Sequence, residues 1–190
     1  LFRSFQSSLN PQSMTVMENM LLSPPGQTGE GILAALLQPG RVRRQETRNL
    51  DRAWTILEQL RLEEKADTFV GDLSGGQKKL LSLAQALMID PQIILLDEPV
   101  AGVNPRLIDD IMEAILELKK QGQNFLIVEH NMQFVRQICD MVYVLDAGEV
   151  IASGPTMETL EKPEVLEAYL AAPRNESPPV EAEEQALAEA

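Results

Sequence analysis

The run Ile93-Ile94-Leu95-Leu96, closed by Asp97-Glu98-Pro99, constrains this chain more than any other stretch. It is short, continuously apolar, β-branched at its start and flanked by Pro91 and Pro99. Those properties predict a buried strand rather than a helix. Arg106 to Lys120 follows with Ile108, Ile111, Met112 and Ile115 on one helical face, and Gln121-Gly122 ends it. Phe125-Leu126-Ile127-Val128 is a second strand of the same kind, leading into Glu129-His130. Strand, helix, strand in that order predicts a right-handed βαβ unit with parallel strands.

Upstream, Leu80, Leu83, Ala84 and Leu87 recur at helical spacing, so a helix is expected from near Ser74 to just before Pro91. Leu50 to Leu62 carries Leu50, Ala53, Trp54, Leu57 and Leu60 on one face, with Asp51 suited to its N-terminus. Residues 7–50 read as irregular. Asn10-Pro11, Pro24-Pro25-Gly26 and Gln38-Pro39-Gly40 are breakers, with short helices expected at Thr15 to Leu22 and Glu30 to Leu37. Downstream, Val142 to Leu145 and Glu149 to Ala152 flank the hairpin turn Asp146-Ala147-Gly148, and Pro163 opens a helix to Ala171. The Glu-, Ala- and Pro-rich stretch from Asn175 to Ala190 is expected to be a loose tail.

Composition removes several function classes. With 16 Lys and Arg against 29 Asp and Glu, the net charge is −13, which argues against broad nucleic-acid binding. The longest apolar run, Ile32 to Leu37, is far below the ~20 residues that cross a bilayer. A single cysteine, Cys139, excludes an internal disulfide and a cysteine metal cluster, and His130 is the sole histidine.

Three short constellations could carry chemistry. Asp97-Glu98 closes a strand at the end where open α/β sheets place ligands, and adjacent strand residues point apart, so the two carboxylates can take separate roles. Ser74-Gly75-Gly76-Gln77 puts two glycines at a helix start, where free amides and the helix dipole attract phosphate. His130 follows the second strand, a position suited to a phosphate contact or proton transfer. Each taken alone has a commoner structural explanation: a polar strand end, an N-cap, a hydrogen-bonded surface histidine. The Arg41, Arg43, Arg44 cluster is by default a solvated face.

Order and spacing change that weighing. Leu73-Ser-Gly-Gly-Gln77, Ile93 to Glu98, Ala101-Gly-Val-Asn-Pro105 and His130 resemble, in turn, the signature motif, Walker B strand and its glutamate, D-loop and switch histidine of ATP-binding cassette (ABC) transporter nucleotide-binding domains. Phe5-Gln6 then resembles the Q-loop. Asn104, in place of the family's more usual Asp, resembles the branched-chain amino-acid uptake group. The segment from Glu18 to Leu50 and the ending Glu164 to Leu170 resemble that group too.

The resemblance implies an α/β fold, a P-loop NTPase-type parallel sheet core with a helical subdomain, incomplete at the N-terminus. It covers residues 1–172, with the helical subdomain roughly 11–90, a RecA-like core part roughly 91–172 and an acidic tail 173–190. It implies ATP and Mg²⁺ as cofactors, Glu98 and His130 as catalytic residues, and Asp97 and Gln6 toward the metal. Nucleotide contacts would come from Gln6, Ser74, Gly75, Gly76, Gln77 and Asn104. The implied partners are a second nucleotide-binding subunit, transmembrane permease subunits and, indirectly, a solute-binding protein, with the protein itself peripheral at the cytoplasmic face of the membrane. None of the 11 glycines is followed by Lys, so the phosphate loop G-x-x-x-x-G-K-[ST] is not among these residues. It is expected upstream of Leu1, and this stretch alone is expected to be inactive. Two other readings stay open: a non-catalytic interaction fragment, and a cassette ATPase outside transport.

Overall fold

The computed structural model describes residues 2–3, 11–26 and 39–171. Gln6, the short helix expected at Glu30 to Leu37, and the acidic tail lie outside the described residues. The chain divides into two compact units, Leu1–Ile138 and Cys139–Ala190.

The first unit is built on a parallel sheet in the order β1-β2-β3, with β1 at Phe2–Arg3, β2 at Ile93–Asp97 and β3 at Asn124–Val128. Its register pairs Phe2 with Ile94, Ile94 with Phe125 and Asp97 with Val128. The two expected strands are thus neighbours and parallel, and helix α4 (Pro105–Lys120) is the crossover between them. Asn104 caps α4 by accepting a hydrogen bond from the Arg106 amide at 3.0 Å. Pro105 sits in the first turn, where its missing N–H costs nothing, and Lys119 and Lys120 complement the dipole in the last. Ile111, Met112, Ile115 and Leu118 form the buried stripe. The strands are less enclosed than their composition implies. Among the described residues Ile94 and Leu96 are buried, whereas Ile93, Leu126 and Val128 are exposed. Both faces carry apolar side chains, so the run reads as continuous while one face is packed.

Three helices pack together beside this sheet in the sequence. Helix α1 (Val16–Leu22) opens on a capping box in which Thr15 and Glu18 satisfy each other's amides. Helix α3 (Gly75–Met88) opens on Ser74 as expected and buries Leu80, Leu81, Leu83, Ala84 and Leu87. Asp90, at φ +57°, turns the chain out of α3 ahead of Pro91. Helix α2 differs from expectation. It runs unbroken from Pro39 to Gln59, so Pro39-Gly40 starts a helix rather than breaking one, and Asp51 lies mid-helix. Proline is tolerated in a helix's first turn because that N–H has no intrahelical partner. Its buried face is Ala53, Ile56 and Leu57, while Leu50 and Trp54 stay partly in solvent. Arg52 donates to the Leu87 carbonyl at 2.7 Å, placing a cation at the C-terminus of α3.

The second unit is a hairpin of β4 (Met141–Asp146) and β5 (Glu149–Pro155), with Asp146 opposite Glu149. Ala147 and Gly148 both have positive φ, as a two-residue turn matching strand twist requires. Helices α5 (Thr156–Leu160) and α6 (Pro163–Ala171) follow, and the Thr156 hydroxyl donates to the Cys139 carbonyl at 2.7 Å.

Because Ile115 is fully buried in the crossover helix and Leu116 beside it is 36% exposed, the two separate packing from propensity. Ile115→Ala is expected to cost about 2–5 kcal/mol and Leu116→Ala under about 1 kcal/mol in urea unfolding. Equal losses would mean that α4 is not anchored through the Ile115 face.

Candidate functional site

The site is assembled where β2 and β3 end. Asp97 is the last residue of β2, level with Val128. The Glu98 amide extends the ladder by donating to the Val128 carbonyl at 2.9 Å, but Glu98 itself has φ +47°. Its side chain is therefore aimed by a left-handed turn, not by strand alternation as the sequence implied. That conformation is disfavoured for a residue with a Cβ, by roughly 1–2 kcal/mol. Such strain persists only where the surroundings over-determine it.

His130 stands across from this turn. Its Nδ1 lies 3.7 Å from Glu98 Oε1, too far for a hydrogen bond, and its ring is 76% exposed. An imidazole so placed is accessible to a ligand arriving at the strand ends. Glu129, by contrast, has a side chain only 1% exposed. Its Oε1 accepts from the Val100 amide at 3.1 Å, and its Oε2 from the amides of His130 at 2.9 Å and Asn131 at 3.0 Å. This buried carboxylate thus joins the turn after β2 to the turn after β3.

A third segment reaches the same turn from α3. Lys79 Nζ donates to the Glu98 carbonyl at 2.7 Å and to the Ala101 carbonyl at 2.8 Å. Burial pulls its ammonium below the ordinary 10.5, and the Glu129 and Glu98 carboxylates only partly offset that. The sequence reading missed both Lys79 and Glu129. An ionisable residue one turn inside an apolar helix, and another closing an apolar strand, were the available signals.

At the start of α3, Ser74 and Gln77 form a capping box: Ser74 Oγ accepts from the Gln77 amide, and Gln77 Oε1 from the Ser74 amide at 3.0 Å. Ser74 and Gly75 are exposed. The two glycines differ. A Cβ on Gly75 would meet nothing within 4 Å, whereas one on buried Gly76 would lie 2.0 Å from Leu107 Cδ2 and 3.0 Å from Val103 Cγ1. Gly76 is therefore required for the contact of α3 with the segment leading into α4. Asn104, exposed, spends its side-chain oxygen on the cap of α4. Asp97, Glu98 and His130 are thus gathered at the strand ends. The helix that Ser74 to Gln77 open meets the turn after β2 through Lys79, and Gln6 lies outside the described residues.

Residues 3–101 match the ABC transporter family. The chain belongs to that family. It is 42% identical over 176 residues to a probable branched-chain amino acid transport ATP-binding protein, LivG, of Archaeoglobus fulgidus, covering 93% of this chain and 67% of that protein. It is 36% identical to the high-affinity branched-chain amino acid transport ATP-binding protein LivG of Salmonella typhimurium, over 88% of this chain and 66% of that one. The crystal structure of the ADP conformation of MJ1267, an ATP-binding cassette of an ABC transporter, superposes with a TM-score of 0.69 at 36% identity, covering 90% of this chain and 68% of that chain. The chain spans about two thirds of the length of these relatives. The expected fold, a P-loop NTPase-type cassette with a parallel sheet, is the one observed. ABC ATP-binding chains work with transmembrane permease components, and among the described residues no helix is long and apolar enough to cross a membrane.

Two outcomes are expected from this geometry. Gly76→Ala forces Leu107 and Val103 aside and is expected to cost about 1–3 kcal/mol, whereas Gly75→Ala is neutral or stabilising by up to about 1 kcal/mol. Thermal unfolding of the two variants checks this, and similar Tm values would contradict it. For Lys79, the folded state releases its proton before the unfolded state does, because its folded pKa is the lower one. Relative to a permanently charged Lys79→Arg variant, wild-type stability is therefore expected to rise as pH climbs toward 10.5 from below. A stability difference that stays flat with pH in urea titrations would contradict the burial of this charge.

Proposed function

We propose that this chain is part of the ATP-hydrolysing subunit of a transporter for branched-chain or related amino acids. The transported class rests on the relatives' names, and the chemistry on the Glu98 carboxylate held beside an exposed His130 at the sheet's ligand-binding edge. Glu98 polarises the attacking water as general base. His130 contacts the γ-phosphate and holds the geometry of the transferring group. Ser74, Gly75 and Gly76 present the start of α3 to the nucleotide of a second such subunit, paired head to tail, with hydroxyl, amides and dipole facing phosphate. Gln77 and Asn104 act there by shaping the starts of α3 and α4. Gln6 links the site to a helical subdomain, roughly residues 11–90, against a core part from roughly 91 to 172.

Mg²⁺ fits this site as a nucleotide-borne ion. Among the described residues no three acidic, histidine or cysteine side chains gather to cage a metal. Mg²⁺ in nucleotide sites uses one or two carboxylates, water and the phosphates, which matches a single strand-end Asp97. Asp97, with Gln6, would hold it, and the ion would offset charge on the phosphoryl oxygens. The subunit lies at the cytoplasmic face of the membrane, where it meets permease subunits and, indirectly through them, serves a solute-binding protein.

The decisive experiment is Glu98→Gln in the full protein with ATP and Mg²⁺. Gln keeps size and hydrogen bonding but loses the anionic acceptor, so turnover is expected to fall by ~10²–10⁴-fold. ATP binding persists, and size-exclusion chromatography is expected to show an ATP-held dimer. Ser74→Arg, crowding the exposed start of α3, is expected to abolish that dimer instead. Hydrolysis at the wild-type rate by Glu98→Gln would sink the assignment of the base.

A further inference from the structure

The turn after β2 is tied from outside as well as from within. Its internal backbone bonds measure 3.3 Å from the Ala101 amide to the Glu98 carbonyl and 3.2 Å from the Val103 amide to the Val100 carbonyl. Glu98 within it occupies a left-handed conformation, φ +47°, that a side-chain-bearing residue leaves unless held. Side chains from two other segments add further ties. Lys79 Nζ spans the turn, donating to the carbonyls at both its ends at 2.7 and 2.8 Å. From the other side Glu129 Oε1 takes up the Val100 amide at 3.1 Å.

We propose that Lys79 and Glu129 are positioning residues that clamp residues 98–101 from two sides, fixing the backbone of Glu98 so that its carboxylate stands beside His130. Both jaws belong to segments with their own tasks. Lys79 lies one turn along the helix that begins with Ser74-Gly75-Gly76, and Gly76 closes the same helix against Val103 and Leu107. Glu129 spends its second oxygen on the amides of His130 and Asn131. The helix that faces a partner's nucleotide, the water-polarising carboxylate and the histidine segment therefore share one charged cluster. Displacement of α3 reaches Glu98 through a lysine with two hydrogen bonds rather than through a loop. The proposal rests on the reading of Glu98 as the base.

The test combines ATPase kinetics of the full protein in its transporter complex with amide hydrogen exchange over residues 98–103 in the same preparations. For Lys79→Met, kcat is expected to fall ~10–100-fold, the scale of a misplaced reacting group, with KM for ATP within about twofold. Exchange at Val100 and Ala101 is expected to accelerate. Lys79→Arg still offers donors to both carbonyls and is expected to recover most of the rate. Glu129→Gln removes the charge opposite Lys79 and is expected to loosen Val100, His130 and Asn131 together. With Glu98→Gln slow, an unchanged kcat in Lys79→Met would overturn the proposal, as would Lys79→Arg being as slow as Lys79→Met. Wild-type turnover in Glu98→Gln would instead remove the base assignment, and loosened amides in Lys79→Met would then still uphold the clamp on the turn.

Discussion

Parallel pairing of β2 with β3 is the interaction on which the functional geometry depends. Parallel strands need a crossover, and the crossover needs a helix long enough to return the chain to the same edge. α4 supplies it, capped by Asn104 and anchored by Ile115. Once Asp97 lies level with Val128, the residues that follow each strand emerge side by side. Glu98 and His130, far apart in the chain, become neighbours because each lies within two residues of that last pair. An antiparallel pair would have put them at opposite ends.

The second constraint is close approach. Gly76 brings α3 against Val103 and Leu107, and a Cβ there would force their side chains to shift. That approach puts Lys79 within reach of two carbonyls in the turn after β2. Its charge is partly desolvated there, a cost that the Glu129 and Glu98 carboxylates partly offset. The two glycines at this helix start thus differ: space is open around Gly75, whereas Gly76 packs inward.

Much of this was legible in the residues. The extents of α3 and α4, the two strands, the hairpin at Ala147-Gly148 and the helix at Pro163 all follow from local signals: periodicity, caps and turn-forming pairs. The motif order was enough to reach the ABC family. Local rules failed at Pro39-Gly40, where the same dipeptide that ends one helix can begin another, and at Leu50 and Trp54, whose spacing promised burial that Ile56 received instead.

By itself the sequence determined which residues could polarise water, bind phosphate and close a crossover, because those properties belong to side-chain chemistry and to spacings of a few residues. Only the tertiary structure decided which of them act together. The Lys79 contacts join residues 19 and 22 positions apart, and Glu129 reaches Val100 across 29. No periodicity spans such distances, since they are set by strand register and by how near two helices can pack. The left-handed backbone of Glu98 has the same origin: nothing in a glutamate favours it, and the hydrogen bonds that impose it exist only in the folded chain.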